Sequence, residues 1–430
     1  MLAALLGVPI SVIAWAFLAV DSQLQHWLYI ALPAELGLHT VPVWWPFPML
    51  AISGVLTASA IRFLPGTGGH SPADGLQTGS HPAASEIPGV VLAALATLGF
   101  GAVLGPEAPL IALGGGLGAW AVSRVRAANA EQVQSVLAAT GSFASVSTLL
   151  GSPIVGAFLL MEAGGLGGPT MELVLVPGLL ASGIGALVFI GLGHWTGLGT
   201  FSLAIPGLPH VGHPTPAEFG YAIVIGLAGA VLSVGIHRGA LALRGVVQRQ
   251  ALLWTPVVGL FVAGTAVLFS QVTGKGTNKV LFSGQTALGP FVLHTAAYSL
   301  GALLLLLAMK ALAYSASLSS FRGGPIFPSI FVGAVGGAAL SHLPGLPLVA
   351  AVGMGIGAMT AGMLRLPFTA VLLACLMLFS DGVAIMPLVI VAVVTSYVTV
   401  LRLDPPAEAA GSSAKPAPAP EPAPDPAPAA

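Results

Sequence analysis

The chain has 430 residues, of which 56% are hydrophobic and only 6% charged, with a formal net charge of −1 and a mean hydropathy of +0.96. Soluble domains carry roughly 25% charged residues, so this is the composition of a polytopic membrane protein, and the near-zero net charge argues against nucleic acid as a partner. No Gly-rich phosphate loop followed by Lys-Ser/Thr occurs, which excludes an ATP-driven engine of that type.

The apolar runs near 2–20, 41–63, 87–123, 133–163, 173–192, 215–237, 251–270, 290–313, 326–351 and 366–401 allow about ten to fourteen helices at ~20 apolar residues per span. Glycine at 57 and proline at 35 residues are too abundant for a bundle of straight helices. Broken or half-spanning helices are expected, which membranes tolerate only where they line a protein-buried or wet cavity. The first run lacks the basic start of a signal peptide and reads as a retained helix. The single Cys375, in an apolar helix, offers neither a disulfide nor a metal cluster.

The second span opens at VPVWWPFPML, where Trp44 and Trp45 read as interface anchors. It ends at Arg62 and gives way to LPGTGGHSPADGL, which fits either an ordinary loop or a re-entrant turn whose amides and Thr67 hydroxyl face an ion. Next comes Gly105-Pro106-Glu107-Ala108-Pro109. Glu107 is the sole charged residue between Glu86 and Arg124, and an ionisable group inside a bilayer is costly and by default marks an ion or proton pathway. The surrounding glycines and prolines break the helix and free backbone N–H groups to point at an anion. The competing reading is a carboxylate at a helix mouth, in water.

The chain is expected to leave the membrane at SRVRAANAEQ and return through a run of Ala, Gly, Ser and Thr suited to close helix pairs in lipid. Glu162 ends that part, read as structural or solvated ahead of proton-handling. A long helix follows Pro216, with Glu218 in its first turn. Arg238, Arg244 and Arg249 make its far end cytoplasmic, and His237 beside them reads as interfacial. The other histidines lack metal-ligand spacing and join no carboxylate in a catalytic constellation, so neither a metal, a cofactor nor an enzyme is expected. The loop QVTGKGTNKVLFSGQTALG falls outside by counting passes. Lys310, in an apolar run, is expected to snorkel or pair. From Asp404 the composition turns to Pro, Ala and Glu, so 404–430 reads as a disordered tail behind a 1–403 membrane domain.

The two glycine-rich stretches repeat one another. Pro109, Ile111, Gly114 and Gly118 have the spacing of Pro328, Ile330, Gly333 and Gly337. Downstream of each lies a small-residue helix and then Leu-x-x-Pro, at Pro153 and Pro367. Two matches in one order favour duplication, with halves at roughly 45–200 and 215–400. Weak repeats with breaks at matching positions point to a transport site near the bilayer midplane. The counterpart of Glu107 is Ile326, so the carboxylate belongs to one half only.

Over roughly residues 45–400 the chain resembles the CLC family of chloride channels and proton-coupled chloride exchangers. The signature Gly-Lys/Arg-Glu-Gly-Pro looks like Gly105-Pro106-Glu107-Ala108-Pro109, and Gly-x-Phe-x-Pro like Gly324-Pro325-Ile326-Phe327-Pro328. Gly-Ser-Gly-Ile-Pro resembles Gly66-Thr67-Gly68-Gly69-His70, and the ending at Arg365-Leu366-Pro367 also fits. The resemblance implies an all-α, inverted-repeat fold with broken helices, a homodimer in the cell membrane bilayer, and transport of chloride, with or without protons. It implies that Glu107 gates, lying in an anion site when ionised and swinging away when protonated or displaced. Thr67, Gly68, Glu107, Ala108, Ile326 and Phe327 would form the anion-binding set, at helix N-termini that favour an anion.

Three departures matter. Pro106 and Pro325 lack the N–H groups that other residues would offer there, so weaker chloride binding is expected. The family's internal glutamate aligns with Ala163, one residue from Glu162, and one residue is about 100° of helix rotation. A tyrosine expected on a last helix has no match, Tyr397 lying in the helix before it. These tilt the expectation toward passive or weakly proton-coupled chloride flow, with a coupled antiporter or a fluoride or other-anion transporter as alternatives.

Overall fold

The structure, a computed structural model, describes residues 2–405 except 39, 78–80, 124–129, 166–168, 198–203, 211, 213 and 379–381. The expected membrane exit at 124–129 and the tail beyond Pro405 lie outside the described residues.

The described residues form sixteen α-helices in chain order. The first half holds α1 (Leu2–His26), α2 (Leu32–Glu35), α3 (Pro46–Phe63), α4 (Ile87–Leu98), α5 (Glu107–Ser123), α6 (Ala130–Leu150), α7 (Pro153–Ala163) and α8 (Pro169–Thr196). The second holds α9 (Pro216–Val247), α10 (Ala251–Thr273), α11 (Gln285–Leu293), α12 (Leu300–Ser320), α13 (Ile326–Leu340), α14 (Leu348–Leu364), α15 (Pro367–Met377) and α16 (Gly382–Leu403). Eight stretches are long and apolar enough to cross a membrane, while α4, α5, α7, α13, α14 and α15 are shorter apolar helices. The mixture is what the glycine and proline content demanded. Proline sits in the first turn of α3, α4, α7, α9 and α15, where its missing N–H costs nothing.

The packing repeats as the sequence does. In the first half α5 lies on α6, α6 on α8, and α1 on α6 and α8. In the second α13 lies on α14, α14 on α16, and α9 on α14 and α16. Two glycine crossings explain the close approach within each half. A Cβ on Gly114 would stand 2.3 Å from the Gly141 carbonyl, and one on Gly333 would stand 2.4 Å from that of Gly355. No side chain fits there, so α5 and α6, like α13 and α14, meet backbone to backbone. The halves join where α3 packs on α10 and α7 on α15.

α9 begins as the sequence indicates. The Thr215 hydroxyl accepts the Glu218 N–H at 3.4 Å and the Glu218 carboxylate accepts the Thr215 N–H at 2.9 Å, a capping box. Of the two tryptophans expected as anchors, Trp44 is exposed, but Trp45 is buried and donates its indole N–H to the Leu28 carbonyl at 3.0 Å. The turn Trp27–Ala31 beneath it offers a carbonyl that the helical ladder leaves free, and this draws the ring inward.

Candidate anion site

The two chain breaks that the repeat aligns meet at the centre. Gly105 donates its N–H to the Gly324 carbonyl at 2.8 Å, and Gly324 returns the bond to the Gly105 carbonyl at 2.6 Å, in antiparallel sense. Equivalent positions of the two halves therefore pair with each other, as an inverted duplication requires. Just beyond this pair, α5 begins at Glu107 and α13 at Ile326.

Glu107 has no exposure, and its carboxylate turns to the other half: Oε1 accepts the Phe327 N–H at 2.7 Å. That amide is one of the free donors at the start of α13, where the helix dipole amounts to about +0.5 of a charge. Oε2 is buried without a hydrogen-bond partner among the described residues. A Cβ on Gly105 would lie 2.1 Å from Oε2, and one on Gly324 2.2 Å, so both glycines are cut to the shape of the carboxylate. The geometry is that of a buried carboxylate held on the first amides of a helix from the other half.

Ala108, Ile326 and Phe327 stand beside this carboxylate, as their positions at the two helix starts dictate. Thr67 and Gly68, by contrast, lie against Arg322, two residues before Gly324, with no hydrogen bond from the Thr67 hydroxyl to Glu107 among the described residues. Arg322 donates its Nε–H to the Thr67 carbonyl at 3.3 Å and its backbone N–H to the Thr97 hydroxyl at 3.2 Å. Thr67 itself is exposed with φ +50°, in a turn where Gly66, Gly68 and Gly69 also have positive φ. Pro325 precedes α13 as its N-cap.

Sequence reasoning missed the helix that holds these breaks in place. Along α12, Ser317, Tyr314 and Lys310 fall on one face at helical spacing. The Ser317 hydroxyl accepts the Val103 N–H at 3.0 Å, fixing the loop before Glu107. The fully buried Tyr314 donates its hydroxyl to the Pro325 carbonyl at 2.7 Å. Lys310 was expected to snorkel or pair; instead it is fully buried and donates to the carbonyls of Leu281 and Phe282 at 3.0 and 2.8 Å. It lies ten residues from the start of α12, about 15 Å along the helix. The only sequence signal for this stripe was the spacing of polar residues in an apolar run.

Glu162 is half-buried at the end of α7, facing the start of α15. It accepts the N–H of Phe368 at 2.9 Å, the N–H of Thr369 at 2.8 Å and the Thr369 hydroxyl at 2.6 Å. These bonds cap α15 from the other half of the molecule. Toward the arginine end of α9, a cavity of about 520 Å³ runs from Asp74, His237, Arg365 and Asp404 to Pro325. Asp404 binds Arg365 at 2.7 Å and His237 at 2.9 Å, and Arg244 pairs with Asp74. Among the described residues no group of three His, Cys, Asp or Glu side chains is placed to hold a metal.

The sequence profile of the voltage gated chloride channels matches residues 49–400. The chain belongs to this family. Among curated relatives, the "Putative ion-transport protein YfeO" of Escherichia coli O7:K1 (strain IAI39 / ExPEC) is 29% identical over 357 residues, covering 80% of this chain and 79% of its own. The CLC fold is likewise shared with solved structures. A slow cyanobacterial Cl⁻/H⁺ antiporter matches with a TM-score of 0.75 at 18% identity, covering 94% of each chain. A CLC-type fluoride/proton antiporter matches with a TM-score of 0.68 at 20% identity, covering 92% of this chain and 94% of that one.

Proposed function

We propose that the protein carries chloride or a similar small anion across the cell membrane, through a pathway gated by Glu107, and that it is not an enzyme. The observation that carries this reading is the Glu107 carboxylate on the Phe327 amide, seated among the helix starts of both halves with one oxygen unpartnered. Helix N-terminal amides bind an anion without a contacting cation, whose strong attraction would slow release. When the carboxylate is protonated or displaced, a transported anion takes its place. The cavity from Arg365 and Asp404 to Pro325 supports an inner approach to the same point. A homodimer in the lipid bilayer, one pathway per subunit, is the assembly we infer from family membership.

Passive or weakly proton-coupled flow remains the preferred form. Glu162, the acidic side chain next to Ala163, spends its carboxylate on the start of α15, which favours a structural over a proton-carrying role. The antiporters among the fold relatives give the coupled alternative, and the fluoride/proton antiporter gives the alternative anion.

Purified protein in chloride-loaded vesicles, with proton movement followed in parallel, tests the reading. Chloride efflux is expected from the parent, with a pH dependence that Glu107→Gln removes. A Glu107→Gln variant with unchanged rate and pH dependence would show that this carboxylate is not the gate. Absence of anion flux under every gradient would remove the transport reading.

A further inference from the structure

Glu107 and Lys310 are the two charged side chains with zero exposure among the described residues. The first belongs to the proposed gate, while the second has no carboxylate partner among the described residues and no part in the gate itself. Its surroundings describe an ammonium group. Two backbone carbonyls, of Leu281 and Phe282, accept from Nζ, and the ring of Phe331 lies with its centroid 4.9 Å from it. Three electron-rich partners match the three N–H donors of –NH₃⁺, whereas a neutral amine would turn a lone pair toward one of them.

The position of this cation relative to the site is fixed by short links. Phe331 is four residues along α13 from Phe327, whose amide holds Glu107, a separation of about 6 Å. Lys310 is one turn from Tyr314, which binds the Pro325 carbonyl. Phe282, bound by Lys310 through its carbonyl, donates its own N–H to Gly101 in the loop leading to Glu107, at 3.1 Å. The charge is thus in the second layer around the anion position, on the side of the 274–284 loop and away from the α9 arginines.

We propose that Lys310 is the fixed counter-charge of the anion site and that it sets the affinity for the transported anion. An uncompensated cation in the middle of a bilayer is costly. Glu107 offsets it when seated, and a mobile anion offsets it when Glu107 leaves. Lys310 touches neither Glu107 nor the anion, so its effect is on affinity through the field and not through a contact. The inference rests on the anion reading of the Glu107 site.

The test is chloride binding to purified, detergent-solubilised protein by calorimetry, with vesicle flux measured separately. Lys310→Gln keeps hydrogen-bond donors for the two carbonyls but removes the charge, and the dissociation constant is expected to rise on the order of tenfold. Lys310→Arg, which keeps the charge, should stay within about twofold of the parent. A purely structural role of Lys310 would instead lower the thermal stability of Lys310→Gln at parent-like chloride affinity. Lys310→Met, neutral and of similar length, gives the same comparison if the Gln variant is not monodisperse. Parent-like affinity in either neutral variant overturns the proposal. Missing flux in the parent overturns the transport reading and leaves the binding comparison standing.

Discussion

Gly105 is held to glycine by the carboxylate beside it, and this gives a way to move the gate without touching it. All three atoms nearest to a Cβ at Gly105 belong to the Glu107 side chain, and its φ is not in the positive region. The nearest obstacle to an alanine there is the end of a flexible side chain, so the backbone can stay while the carboxylate leaves the Phe327 amide. Gly105→Ala is therefore expected to give chloride flux of weakened pH dependence, approaching that of Glu107→Gln, with thermal stability close to the parent. Vesicle flux across a pH series checks it; a parent-like pH profile would mean the carboxylate does not rest against Gly105. Gly324 is a poorer probe, because its Cβ would also stand 3.0 Å from the backbone nitrogen of Ala108.

At the scale of elements, α15 depends on a residue of α7. Its first amides, at Phe368 and Thr369, have no carbonyl a turn earlier to bind, and the Glu162 carboxylate takes both. Ser152 plays the nearer equivalent for α7, accepting the Val155 N–H from within its own chain segment at 3.4 Å. Glu162→Ala is expected to lower stability by about 1–2 kcal/mol, the usual cost of losing a cap, with the proton movement per chloride unchanged. Thermal unfolding in detergent and paired chloride and proton fluxes give the two readings. Loss of proton uptake would assign Glu162 to a proton path and overturn the preference for passive flow.

At the scale of the whole molecule, the two ends of the helices differ in charge. The arginines of α9 gather with Asp74, Arg365 and Asp404 at one end, and the Lys275–Lys279 segment lies beyond the far end of α10. By the positive-inside tendency the first group is expected on the cytoplasmic side. In a Cys375→Ser background, Arg249→Cys and Asn278→Cys, both at exposed positions, should react with a membrane-impermeant thiol reagent from opposite sides of the vesicle, the second from outside. Labelling of both from one side would reject this orientation.

The sequence by itself determined the membrane class, the duplication and the residues at the two breaks, because composition, proline and glycine spacing and an isolated carboxylate are local features that a chain displays without folding. The long helix after Pro216 was legible for the same reason: its cap is built from Thr215 and Glu218, three residues apart. Only the tertiary structure decided what the carboxylates and the buried lysine touch. Glu107 meets Phe327 across 220 residues, Glu162 meets Thr369 across 207, and Lys310 meets Phe282 across 28. Trp45 shows the limit at shorter range, since its inward turn answers a carbonyl 17 residues earlier and not the amphipathic pattern around it. Partners so far apart leave no periodicity in the chain, and their pairing follows from which helix ends the crossing of the two halves brings together.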